Sequence, residues 1–142
     1  QQHFDVDLVT NAFGDEAARA VATASVVVNI HYYEGALLES TRIFETLSLG
    51  TRVVSEAAPD LADYPGVESV VDFVPVDDVD AMVEAVRQAL AQVRSPVAVQ
   101  DWIDRCQQLM ARSEQRFDFM FVRALLAQGF IGYEAFSAPG SF

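Results

Sequence analysis

Polar residues that could bind a ligand concentrate in His31–Gly35, which reads His-Tyr-Tyr-Glu-Gly. This segment follows Ser25–Ile30, an apolar run rich in β-branched residues, and precedes a helical pattern that begins near Leu37. An imidazole can donate a hydrogen bond to a diphosphate or a sugar hydroxyl, and Gly35 would let a ligand approach the backbone closely. The candidate binding residues of this loop are His31, Tyr33, Glu34 and Gly35.

Two of these residues have an equally ordinary structural explanation. A histidine that ends a buried strand is as often a structural hydrogen-bonding group, so both roles remain open for His31. One of two adjacent tyrosines in an extended run is expected to face the core. We assign the ligand side to Tyr33 and the core side to Tyr32.

A second candidate set lies on the predicted helix Leu37–Leu49, where Glu39, Arg42 and Glu45 are spaced i, i+3, i+6 and form one polar stripe. Arginine is suited to phosphate, and a carboxylate can accept both hydroxyls of a ribose. The alternative is an internal Glu–Arg–Glu ion network on a half-exposed helix. The spacing alone fits both interpretations.

Strand and helix patterns alternate along the chain, which predicts an α/β fold: a Rossmann-like parallel sheet flanked by helices, with extra C-terminal helices. Ligands are expected at the carboxyl ends of such strands. The unalternating run Ser25–Ile30 predicts a central strand. The other predicted strands are Asp5–Thr10, Thr51–Ser55 and Ser69–Val74. The predicted helices are Asp15–Thr23, Leu37–Leu49, a segment after Pro75 that includes Val79 to Val93, a segment from Pro96 through Met110, and Glu114–Gln128. We expect one domain over residues 1–136 and a loose tail over 137–142.

Aspartates and aromatic residues in the second half of the chain suggest structural roles. Asp77, Asp78 and Asp80 favour a helix N-terminus, and no oxygen-ligand loop surrounds them, so we expect no metal site. Trp102 and the aromatic run that begins at Phe117 are predicted to be core, or a surface covered by another domain. That run contains Phe117, Phe119, Met120 and Phe121.

Composition excludes several classes of function. Nine basic and 21 acidic residues give a net charge of −12, which repels the phosphate backbone of nucleic acids. No run of apolar residues is long enough to span a membrane, and we expect no secretory signal. The lone Cys106 cannot form an internal disulfide or a zinc cluster. This cysteine usage fits the reducing cytosol, and we therefore expect a cytoplasmic protein.

Three segments taken in order resemble the donor-binding half of GT-B glycosyltransferases. They are Asn29–His31, the helix Arg42–Gly50 and Val53–Glu56. The similarity is greatest to the bacterial group 1, family 4-like enzymes, which carry an Arg-x-Phe-Glu-x-x-x-x-Gly helix, and it covers roughly Ala12 to Val93. The resemblance implies that Glu45, five residues before the glycine, binds the ribose of a nucleotide-sugar.

The resemblance also implies an activity and its requirements. Such an enzyme transfers a sugar from a nucleotide-sugar to a glycan or other acceptor, and a GT-B domain needs no metal or other cofactor. This chain is similar to most of the second domain without its opening strands, so we expect catalysis to need an N-terminal partner domain. Copies of the chain are then expected to form a homo-oligomer, through an edge strand near Asp5–Thr10 or through the C-terminal aromatic face.

One position departs from the family pattern. Retaining members often carry a second glutamate eight residues before the ribose-binding one, where this chain has Leu37. Glu34 or Glu39 could substitute for it, or the contact to the donor sugar is missing.

Two other functions fit an α/β chain of this size. One is a non-catalytic binding or interaction domain such as a receiver-like module, which would need a phosphoacceptor aspartate at a strand end where Asn29 and His31 stand here. The other is a sugar-nucleotide epimerase of the same fold, which only an activity assay can distinguish from a glycosyltransferase.

Overall fold

Three short β-branched segments form one parallel sheet in the computed structural model, which describes residues 4–130 and 132. They are β1 (Val26–Asn29), β2 (Arg52–Glu56) and β3 (Val71–Val74), arranged in the order β1-β2-β3. In this register Val27 lies opposite Val53, and Val53 lies opposite Val71. The predicted α/β class with a parallel sheet is confirmed.

The described residues form four α-helices in addition to the sheet. They are α1 (Asp15–Thr23), α2 (Ser40–Ser48), α3 (Val79–Val93) and α4 (Pro96–Ala127). Gly50, with φ +80°, follows the end of α2 as predicted, because glycine adopts this left-handed conformation without steric cost. Two short 3₁₀ helices, Leu61–Asp63 and Val67–Ser69, connect β2 to β3.

Both faces of the central strand are buried. Val53 and Val54 are adjacent on β2, so their side chains point to opposite faces, and each is almost wholly inaccessible. Helix α3 packs against all three strands, and its Ala89 forms a core cluster with Val54 and Val74. Helix α2 packs against β2 and buries Ile43 and Leu47. This packing fixes the sheet that carries the candidate site.

The chain divides into two compact units, Gln1–Cys106 and Gln107–Phe142, at a point within α4. The first unit contains the whole sheet. In the second, Leu109 and Val122 are buried, whereas the aromatic run is exposed. The first alternative, that the run forms core, is wrong, and the second, that another domain covers it, stays a prediction. The exposed side chains are Phe117, Phe119, Met120 and Phe121, and the rings of Phe117 and Phe121 stack with centroids 5.9 Å apart.

Two strand predictions are wrong. Asp5–Thr10 forms no strand and leaves Val6 and Leu8 exposed, because an alternating pattern makes a strand only where a neighbour supplies hydrogen bonds. The route to self-association through this segment therefore loses its basis. β1 is an edge strand rather than the central one, and its Val28 is exposed, whereas all five residues of β2 are buried.

The helices differ from prediction at their ends. The two predicted C-terminal helices form the single 32-residue helix α4, because Ala111–Ser113 between them contains no glycine or proline to end it. Helix α2 begins at Ser40, three residues later than predicted. Among the helices of the described residues, none is both long and apolar enough to cross a membrane. The predicted tail, 137–142, lies outside the described residues.

Candidate functional site

Polar side chains end the strands at one edge of the sheet, which we call the carboxyl edge. It comprises the last residues of β1 and β2 together with the loops that follow β1 and β3. Asn29, Ser55 and Glu56 lie here and are buried, with Asn29 only 1% exposed. Because the strands are parallel, their carboxyl ends meet at the same edge.

One hydrogen-bond network joins β1, β2 and α2. The Asn29 side-chain nitrogen donates to Ser55 Oγ at 3.1 Å, and Ser55 Oγ donates to the Glu56 carbonyl at 2.9 Å. The Asn29 side-chain oxygen accepts a hydrogen bond from Arg42 Nη1 at 2.9 Å. The side-chain amide of Asn29 thus donates to the neighbouring strand and accepts from the arginine.

Arg42 lies between this network and solvent. Its Nη1 also pairs with Glu39 Oε2 at 2.7 Å, which is half of the ion network that the spacing allowed. The Arg42 side chain is 60% exposed, and a guanidinium has five N–H donors in a planar fork. Asn29 and Glu39 therefore orient the arginine while leaving most of it accessible to an anion.

A second network crosses the carboxyl edge through Glu56. Its Oε2 accepts the backbone N–H of His31 at 2.7 Å, and its Oε1 accepts the backbone N–H of Asp77 at 2.9 Å. The hydrogen bond from Asp77 is the main reason that the pKa of Glu56 lies below its ordinary value, and the bond from His31 acts in the same direction. Burial opposes this shift. The carboxylate is therefore the favoured form at this buried position.

The His31 imidazole has unused hydrogen-bonding capacity. Both ring nitrogens are buried, and neither has a hydrogen-bond partner among residues 4–130 and 132. A buried polar group without a partner costs about 1–3 kcal/mol. The bond from the backbone N–H to Glu56 fixes the main chain at His31, while the donor and acceptor of the ring remain unpaired.

The remaining loop candidates are accessible. Tyr32 and Tyr33 are both exposed, with Tyr32 at 95%, and their rings meet edge to face at 6.5 Å, so the expectation that Tyr32 faces the core is wrong. Glu34 is also exposed. Gly35 has φ +75°, and nothing lies within 4 Å of where a Cβ would stand. This turn projects its side chains away from the core.

The backbone amides before α2 have partners within the chain. The Leu38 N–H donates to Asp60 Oδ1 at 2.8 Å, and the Ala36 N–H donates to the Tyr33 carbonyl at 3.2 Å. Glu39 has φ −74° and ψ 60°, which is not a helical conformation, and the Ser40 N–H donates to the Leu38 carbonyl at 2.7 Å, so α2 begins only at Ser40. An anion at the Leu38 amide would have to displace this aspartate.

Glu45 lies one turn after Arg42 on α2, with an exposed side chain. The hydrogen bonds of Arg42 go to Glu39 and Asn29 rather than along the helix to Glu45. The structure therefore brings Glu39 and Arg42 together with the end of β1 and leaves Glu45 accessible on the same helix.

Several residues of the carboxyl edge were not among the predicted site residues. A signal for some of them existed, since Asn29, Ser55 and Glu56 are polar residues at the ends of apolar strands. No local signal identifies Asp60 or Asp77, which lie more than twenty residues from their partners. Their roles depend on tertiary structure.

The aspartates after β3 have structural roles. Asp78 Oδ1 accepts the Ala81 N–H at 2.9 Å and caps α3, as predicted. Asp77 has φ +62°, a left-handed conformation that is uncommon outside glycine. Within residues 4–130 and 132, no cluster of three or more histidine, cysteine, aspartate or glutamate side chains is placed to hold a metal ion.

An open cavity of about 350 Å³ lies beside β3 and α3 and contains none of the predicted site residues. Its lining consists of Glu68, Val71, Asp72, Phe73, Ala85 and Gln88. The candidate site is therefore the surface of the carboxyl edge rather than this cavity.

Comparison of the sequence with models of known protein families gives no match, and comparison with curated proteins gives none either.

Proposed function

We propose that this chain is the nucleotide-sugar-binding domain of a GT-B-type glycosyltransferase, which transfers a sugar from a nucleoside diphosphate to an acceptor. The observation that carries the proposal is the imidazole of His31 at the carboxyl edge, whose two ring nitrogens are buried and have no partner in the part of the chain that the structure describes. A ligand with hydrogen-bonding oxygens would supply the missing partner, and parallel α/β sheets bind ligands at this edge.

Arg42 supports a ligand that contains phosphate. Its guanidinium is held by Asn29 and Glu39, so little conformational entropy is lost when the arginine binds an anion. The chain as a whole carries −12 charges, and a polyanionic ligand would be repelled without a local cation. In the proposed complex Arg42 and His31 contact the diphosphate.

The other candidate residues would hold the rest of the donor. Glu45 accepts the two ribose hydroxyls, as the resemblance implies, and its exposed carboxylate is available for this. Tyr33 lines the pocket for the base or the sugar, and Gly35 allows close approach of the diphosphate. Because Glu39 is paired with Arg42, Glu34 is the carboxylate that we assign to the donor sugar.

The chemistry follows from this placement. When the sugar departs, negative charge accumulates on the nucleoside diphosphate, and a preoriented guanidinium stabilises that charge more in the transition state than in the ground state. No metal ion is needed for this step. The acceptor and the second face of the sugar would be held by the partner domain.

The direct test is ligand-observed NMR of the chain with UDP-, GDP-, dTDP- and CMP-sugars, one at a time. We expect saturation transfer from the protein to one nucleotide class, strongest at the ribose and base protons. An Arg42→Gln variant should lose the signal while its circular dichroism stays unchanged. Absence of binding for all four classes would remove the proposal.

A further inference from the structure

One carboxylate connects two loops that flank the candidate site. Glu56 stands at the end of the central strand, and each of its two oxygens accepts a backbone N–H from a different loop. One loop follows β1 and carries His31, and the other follows β3 and carries Asp77. The two donors are backbone groups, so the contact fixes the path of the main chain and not merely a side chain.

We infer that Glu56 is a positioning residue that holds the loops after β1 and β3 in one relative arrangement and thereby presents the His31 ring to a ligand. For ligand binding this inference rests on the function proposed above. The clamp itself, defined as Glu56 with its bonds to the His31 and Asp77 amides, can be tested without a ligand.

The chemistry of the clamp requires a carboxylate. Both partners are N–H donors, and only an ionised carboxyl group offers an acceptor oxygen to each. A glutamine of the same size has one acceptor oxygen, and its NH₂ group would face the second donor. Glu56→Gln therefore releases one loop and sets two donors against each other, although it preserves shape and burial.

The conformation of Asp77 supports a holding role. Its φ of +62° is costly for a residue with a Cβ, and it persists only where surrounding contacts enforce it. The bond from its N–H to Glu56 Oε1 is such a contact. On the other loop, the bond from the backbone N–H of His31 belongs to the same residue whose ring nitrogens are unpaired among the described residues. The clamp thus acts on the backbone of the candidate ligand residue.

A first experiment measures the clamp in the full chain. Amide hydrogen exchange would be followed by NMR in the parent and in Glu56→Gln. We expect the acceleration at His31, Asp77 or both to exceed the acceleration at Val54 at least tenfold, because Val54 is wholly buried in the same strand and its exchange reports the change in global stability. Unchanged exchange at both loop amides would overturn the clamp, whatever the chain binds.

A second experiment measures the consequence for binding. UDP, GDP, dTDP and CMP would be titrated into the parent, into Glu56→Gln and into Arg52→Met, a substitution of a buried charge at the other end of β2. We expect at least a fivefold higher Kd in Glu56→Gln, and less than a twofold change in Arg52→Met at a temperature where both variants are folded by circular dichroism.

The outcomes separate the two proposals. If the parent binds none of the four nucleotides, the proposed function fails, and hydrogen exchange alone decides the clamp. If the parent binds and Glu56→Gln binds equally well, the positioning role fails and the proposed function stands. Equal weakening in Glu56→Gln and Arg52→Met would indicate a general loss of stability and would also overturn the positioning role.

Discussion

The two ends of β2 solve the same physical problem in different ways. Arg52 begins the strand and Glu56 ends it, and each residue is only 5% exposed. Burying a charge is costly unless the protein replaces the lost water with other polar contacts. The groups that replace the water differ between the two ends, and this difference indicates a different role for each end of the sheet.

At the amino end, side chains of the first unit close around the charge. The Arg52 guanidinium carbon lies 5.1 Å from the ring centroid of Trp102, and Arg52 Nη2 donates to the Ala98 carbonyl at 3.4 Å. Trp102 in turn donates through Nε1 to the Val70 carbonyl at 2.9 Å. Desolvation is the main cause of the lowered pKa of Arg52, and Asp72 opposes it. This end is part of the core.

At the carboxyl end, backbone amides of two loops replace the water around Glu56. The neighbouring polar groups are not all buried and paired, because the His31 ring has no partner among the described residues and Arg42 is largely exposed. The buried charge of Arg52 therefore stabilises the core at the amino end. At the carboxyl end, the buried charge of Glu56 holds two loops in place beside groups that are unpaired or exposed. The following experiments test this distinction.

The largest effect is expected at the amino end. Trp102→Ala removes a buried indole, its hydrogen bond and its contact with Arg52, so we expect a loss of about 3–5 kcal/mol in the free energy of unfolding. Urea denaturation measures the loss. Trp102→Phe keeps a ring over which the arginine can lie and should cost less. If Trp102→Ala is as stable as the parent, the amino end is not a closed core.

The carboxyl end should respond to pH through Glu56. Its folded-state pKa is lowered, so its contribution to stability is present above the unfolded pKa of about 4.5 and is lost as pH falls through the folded pKa. At pH 7 we expect the free energy of unfolding of Glu56→Gln to be about 1.5–3 kcal/mol lower than that of the parent, because the variant loses hydrogen bonds to a charged group.

The check is urea denaturation of the parent and of Glu56→Gln between pH 3 and pH 7. The stability difference between them should shrink as the medium becomes more acidic, because the parent alone loses this carboxylate. His31 is the other titratable residue whose electrostatic influence lowers the pKa of Glu56, so His31→Gln in both backgrounds serves as the control. A difference that stays constant over the whole range would contradict the assignment.

The sequence predicts most of the first unit because local signals dominate there. Helix α1 has the predicted bounds, Gly50 follows α2, and Asp78 caps α3. Trp102 is buried as expected. Each of these features depends on residue type and near neighbours, which the sequence displays directly.

What the sequence does not predict depends on distant partners. The Leu38 amide, which precedes α2, binds Asp60, a residue 22 positions away. The contacts of Glu56 span 25 and 21 residues. β1 has the composition of a central strand, yet its place at the edge is set by which strands pair, and a run of valines does not encode that.

A smaller effect, confined to binding, is expected at Glu45. If its carboxylate holds both ribose hydroxyls, Glu45→Ala should raise the Kd of the bound nucleotide about tenfold, or about 1.4 kcal/mol, without changing stability, because the side chain is exposed. Glu114→Ala, which alters an exposed glutamate on α4 in the second unit, is the matched control. Isothermal titration of both variants decides the matter, and an unchanged Kd in Glu45→Ala would remove the ribose assignment.

The smallest effect is a difference in nucleotide affinity between variants of two glycines, one near each end of β2. Gly35 (φ +75°), in the loop after β1, and Gly50 (φ +80°), just before β2, each have open space where a Cβ would stand. A valine at either position is strained by the backbone conformation alone, so Gly35→Val and Gly50→Val should each destabilise the fold by about 1–2 kcal/mol. Only Gly35→Val should also affect the ligand, because only this glycine lies in the candidate site.

We therefore expect Gly35→Val to raise the Kd of a nucleoside diphosphate about threefold more than that of the matching nucleoside, because Gly35 gives the diphosphate room to approach the backbone. Gly50→Val should leave both affinities unchanged, because its backbone strain lies at the amino end of β2, away from the candidate site. Titrations of UDP against uridine, or of the pair for whichever base binds, provide the comparison. Equal losses for the two ligands in Gly35→Val would locate the phosphates elsewhere, and a loss in Gly50→Val would mean that backbone strain spreads across the sheet.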